Sequence, residues 1–122
     1  AEGRPDSARH VIDFYEGAGA FDALAEKARG YVIETTPTNV RDWASGGSFA
    51  PDLSAYARIG VPTLLVRGGS GHPAMLRIAV LLASRIPGAS LETIAGGRHM
   101  LPATHPAEVA ALIERHMAGL PR

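Results

Sequence analysis

His99 is the residue best placed to do chemistry. It follows Gly96 and Gly97, and two glycines in a row let a backbone turn sharply and aim an imidazole. An unperturbed imidazole titrates at about pH 6.5, so small environmental shifts make it a base near neutrality. The other reading of the same spacing is a loop histidine bonded to a neighbouring backbone group. A nucleophile to match it is missing. A serine elbow requires G-x-S-x-G, because side chains at the flanking positions would clash on the strained turn. The nearest run, Gly68-Gly69-Ser70-Gly71-His72, ends in His instead of Gly, and Ser70 reads as a turn residue. Ser48 follows no strand and reads as loop. Asp52 reads as a helix cap and Asp42 as a solvated helix residue. His72 either lines the mouth of a pocket or caps the helix that Pro73 opens. His10, His105 and His116 lack partners at the i, i+4 spacing of a helical metal site. No metal and no cofactor are expected.

The elements that must position His99 follow from periodicity. A helix is expected over residues 5 to 16, with Val11, Ile12, Phe14 and Tyr15 as its apolar side and Gly17 and Gly19 as stops. A second runs from Ala20 until Pro37 halts it, a third begins at Thr38 and ends at Gly46 and Gly47, and Asp52 caps a fourth through Tyr56. At Val61 the character changes. Val61 to Val66 is apolar on both faces, the pattern of a buried parallel strand, with Pro62 tolerated only at its start. Pro73 opens a helix with Met75, Ile78, Ala79, Leu82 and Ile86 on one side. Leu91 to Ala95 reads as a second strand, and Pro106 opens a last helix that turns Val109, Leu112, Ile113 and Met117 inward. The order βαβα puts functional loops at 68 to 72 and 96 to 105.

Composition narrows the class of partner. The 122 residues are 46% apolar and suit one compact domain or part of one. Twelve basic residues balance twelve acidic ones, which excludes the basic footprint of nucleic-acid binding. With no cysteine there is neither disulfide nor thiolate chemistry. No apolar run is long enough to cross a bilayer, and a cytoplasmic location is expected. The chain opens Ala1-Glu2-Gly3, without an initiator Met or a signal segment, as a processed or excised piece would.

Residues 59 to 122 carry a resemblance. Val61-Pro62-Thr63-Leu64-Leu65-Val66-Arg67-Gly68, the helix closing on Ile86-Pro87-Gly88-Ala89, then Ile94-Ala95-Gly96-Gly97-Arg98-His99 and His105-Pro106-Ala107-Glu108-Val109 are similar to the end of an α/β-hydrolase domain. Residues 1 to 58 are similar to the helical cap that such enzymes insert. The resemblance implies an α/β fold, the C-terminal part of an α/β-hydrolase sheet, in which His99 is the catalytic base of a triad. The triad acid would stand in the loop at 68 to 72, which holds no carboxylate, or after a strand outside this chain.

The expected function is therefore hydrolysis of a small, mostly apolar ester-like substrate, with the nucleophile outside the chain. Phe14, Tyr15, Phe21, Trp43 and Phe49 either line its pocket or pack the cap helices together. The alternative is a non-catalytic binding or interaction module. A flavodoxin-like or Rossmann piece also fits the βαβα order but lacks the G-x-G-x-x-G spacing. Two parallel strands leave an unpaired edge at 61 to 67, so the expected macromolecular partner is the rest of the hydrolase domain or another copy of the chain.

Overall fold

The computed structural model describes residues 5–49 and 51–120. It divides into two units, Ala1–Pro51 and Asp52–Arg122, so the turn after Asp52 belongs with the strands.

The first unit is helical. α1 (Pro5–Glu16) ends where Gly17 takes φ 95°, and the short α2 (Ala20–Ala23) follows Gly19 at φ 84°. Asp13 accepts the Phe21 N–H at 2.9 Å, pinning α2 to α1. Phe21 is buried, with the Arg9 and Arg29 guanidinium groups 5.0 Å and 5.8 Å from its ring centre. The Arg9–Asp22 ion pair closes over the same spot, and its hydrogen bond holds the Asp22 carboxyl below the usual carboxylate range. The expected break at Pro37 is absent: α3 runs from Glu26 to Gly47 with Pro37 inside it. Proline deprives the helix of one N–H. The preceding turn is reinforced, since the Thr36 hydroxyl donates to the Val32 carbonyl at 2.6 Å and that of Thr35 to the Tyr31 carbonyl at 2.9 Å. The helix starts late because Leu24 and Ala25 are extended.

In the second unit Asp52 caps a 3₁₀ helix, Leu53–Arg58, by accepting the Ser54 N–H at 2.9 Å. Then come β1 (Leu64–Gly68), α4 (Pro73–Arg85), β2 (Ser90–Ile94), α5 (Leu101–Thr104) and α6 (Pro106–Ala118). β1 and β2 are parallel, with Leu64 opposite Ser90 and Gly68 opposite Ile94. Strand alternation sends Leu64 and Val66 to one side of the sheet, where they pack with Ile94, Leu101, Val109 and Leu112. Leu65 and Arg67 face the other side. There Arg67 donates from Nε to Thr93 Oγ1 at 3.1 Å and from Nη1 to the Leu76 carbonyl of α4 at 3.2 Å.

The expectation of an α/β-hydrolase sheet, or its C-terminal part, is overturned. The described chain is mostly helical and its sheet has two strands only. The βαβα order is present, but so narrow a sheet half-covers its own side chains: Leu64, Leu65 and Val66 are half-buried instead of enclosed. Val61 lies outside the strand at 65% exposure. For the same reason the inward stripe expected of α6 is narrower, with Leu112 buried but Ile113 and Met117 exposed. Among the described residues no helix is long and apolar enough to cross a membrane.

Candidate functional site

Both loops at the C-terminal ends of the strands are drawn together by glycine. The Gly69 N–H donates to the Ile94 carbonyl at 2.8 Å and the Ser70 N–H to the Gly97 carbonyl at 2.9 Å. A Cβ on Gly68 would overlap the backbone of Gly97 and Arg98, so this approach requires glycine. Gly96, at φ 73°, turns the chain off β2 and delivers Arg98 and His99 to the strand end.

A cavity of about 230 Å³ lies against β1, α4 and this loop pair. Leu65, Met75, Ile78, Ala79 and Leu82 supply its apolar wall, and Arg67, His72, Arg98 and His99 its polar members. No carboxylate lines it.

His99 itself is exposed. His72 has both of the roles open to it in the sequence: it lines the cavity and caps α4, its Nδ1 accepting the Ala74 N–H at 3.2 Å. Ser70 is in the turn. The Ser48 hydroxyl is bonded to the Ser45 carbonyl just past the end of α3. Ser48 follows a helix instead of a strand, and Ser70, although between β1 and α4, has His72 where a serine elbow needs glycine. Asp42 is exposed within α3. His105 Nδ1 lies 2.8 Å from Thr104 Oγ1. Arg98 was not singled out by sequence, although a charged side chain next to His99 in a glycine-rich loop is the signal that marks it. Among the described residues no three metal-ligating side chains gather.

Of the aromatic residues weighed for a substrate pocket, Phe21 packs the first unit from within. Phe14, Tyr15 and Trp43 line a shallow apolar pocket with His10 and Val11, inside the first unit. Phe14 and Tyr15 meet edge to face at 5.0 Å, and Tyr15 and Trp43 at 6.1 Å. Phe49 is 79% exposed and lines neither pocket.

Compared with known protein families, curated proteins and solved structures, the chain found no match.

Proposed function

We propose that His99 is the general base in hydrolysis of a small, mostly apolar ester-like substrate, with the nucleophile supplied from outside these 122 residues. The observation that carries this reading is the position of His99. It follows a parallel strand, where active-site loops gather, and shares a cavity with an apolar wall able to take an acyl group. His99 takes the proton as the incoming oxygen bonds to the ester carbonyl carbon. The imidazolium then returns that proton to the alkoxide as the ester C–O bond breaks. If the first step leaves an acyl group on the nucleophile, a water gives its proton to His99 as it attacks the acyl carbon, and the imidazolium returns that proton to the nucleophile as their bond breaks.

The proposed macromolecular partner is an extended strand, from the rest of a larger protein or a second copy, pairing with the open edge of β1. The Thr63 carbonyl accepts from Ser90 and the Gly69 N–H donates to Ile94. Residues 63, 65, 67 and 69 therefore turn their backbone groups to β2, and 64 and 66 turn theirs outward, while the Gly68 carbonyl takes the Gly71 N–H at 3.2 Å. An outward row of donors and acceptors is a template for one more strand.

The second reading, a non-catalytic binding module, is favoured by a cavity lining that holds no carboxylate. Ester turnover separates the two. Measured on p-nitrophenyl butyrate with the chain joined to any coding sequence that precedes Ala1, it is expected to fall about 10²-fold or more on His99→Ala. Turnover that survives the substitution refutes the base, and no turnover in the wild type favours the binding module.

A further inference from the structure

We infer that the cavity beside β1 and α4 binds monocarboxylates with a short apolar tail, the carboxylate held by Arg98 and the tail lying against α4. Four polar side chains reach this cavity, and three are basic or half-basic groups with work already assigned. Arg67 spends Nε on Thr93 and Nη1 on the Leu76 carbonyl. His72 spends Nδ1 on capping α4, and its carbonyl takes the Met75 and Leu76 N–H groups at 2.9 Å and 3.1 Å. The α4 N-terminus is therefore satisfied from within and offers no N–H to a ligand. His99 is the proposed base. Arg67 stays charged, but Arg98 is the cation whose whole fork is uncommitted: it has no hydrogen bond, ion pair or ring contact among the described residues.

A guanidinium presents a planar fork of donors that fits a carboxylate with two parallel hydrogen bonds. With no acidic side chain in the lining, nothing in the cavity competes for that fork or repels an anion. In the same lining, Leu65, Ile78 and Leu82 offer a surface with no polar side-chain atom, which favours an apolar tail over a second charge. The volume of about 230 Å³ sets the size. Being many times the space one water needs, it has room for a short apolar chain together with its carboxylate. Hexanoate fits that description. The site deepens the proposed hydrolysis by naming the acid its ester would carry, and it rests on that reading for its place in catalysis alone, since binding needs neither a nucleophile nor proton transfer at His99.

The test is titration of the ¹⁵N-labelled full chain with hexanoate, 1-hexanol and acetate, followed by backbone amide shifts at residues 68–76 and 96–101. Hexanoate is expected to bind at least about tenfold more tightly than either control, over hexanol by the scale of a charge-assisted hydrogen bond and over acetate by burial of its longer tail. Arg98→Ala is expected to bring hexanoate down to the level of hexanol, and Arg98→Lys to leave an intermediate affinity. Hexanoate equal to hexanol overturns the anion site, and hexanoate equal to acetate overturns the tail site. Unchanged binding in Arg98→Ala removes Arg98 as the anchor. Should Arg98→Ala lose its dispersed spectrum, the three-ligand comparison on the wild type and on Arg98→Lys still decides. Hexanoate binding in a protein whose turnover ignores His99→Ala keeps this site and removes His99 as the base. His99-dependent turnover without selective hexanoate binding does the reverse.

Discussion

Gly68 and Gly97 stand side by side where the two loops meet, yet they should respond differently to substitution. A methyl group on Gly68 meets the Gly97 carbonyl and the Arg98 carbonyl, both parts of a backbone with nowhere to go. A methyl group on Gly97 meets first the Cδ2 end of Leu101, a side chain that can change rotamer. Gly68→Ala is expected to cost about 3 kcal/mol and Gly97→Ala about 1 kcal/mol, the upper and lower parts of the range for overpacking. Urea unfolding midpoints compare them directly, and equal losses would show that the loop contact is looser than its geometry. Sequence could read residues whose work is local. Asp52 as a cap and Ser70 as a turn residue need only their immediate neighbours, and both are found so. Arg98 needed the cavity to be visible, because its significance comes from what α4 and β1 place near it and from the hydrogen bonds that occupy Arg67 and His72.

The second unit's elements were legible in kind, for the same physical reason that their ends were not. Apolar periodicity marks a strand or helix through its middle, while ends depend on where hydrogen-bond partners run out. Thus β1 begins at Leu64, not Val61, because its pairing begins with the Thr63 carbonyl opposite Ser90. Pro37 misled for a related reason: a proline removes one helical bond, but the turns of α3 on either side keep theirs. The parity of β1 gives a sharper test of these backbone assignments. Leu65→Pro removes an N–H that points to β2, and a proline in a sheet ladder is tolerated only where no ladder bond is lost. Val66→Pro removes an N–H that points outward. Leu65→Pro is expected to cost about 3 kcal/mol or more, and Val66→Pro distinctly less, both read from thermal unfolding by circular dichroism. The opposite order would invert the register.

Among its described residues the chain keeps more large apolar side chains in contact with solvent than it buries. Among the described residues six apolar side chains are buried, Ala8, Phe21, Ile86, Ile94, Leu101 and Leu112, while twelve large ones are exposed by 40% or more. The pattern of residues 59 to 122 leads to two parallel strands, and the sheet has two, but it carries no information about what pairs beyond them. Strand number is a property of everything that pairs, and a local pattern such as Leu64-Leu65-Val66 describes the strand without its neighbours. The two-stranded sheet has Val61 and Ile78 exposed, Ile78 on the helix that packs against β1, and outward backbone groups along the strand itself. Burying such a row inside an added strand satisfies hydrogen bonds and removes apolar area from water together. The isolated chain is therefore expected to self-associate, with a light-scattering mass above that of one chain that rises with concentration. Val66→Pro, which blocks the outward edge while sparing the ladder to β2, is expected to shift that equilibrium toward the monomer, and Ile78→Glu to do so independently by placing a charge on the exposed apolar side of α4. A concentration-independent monomer that unfolds in one sharp transition would mean that the β1 edge is stable in water by itself, and the proposed strand partner would then have no physical basis.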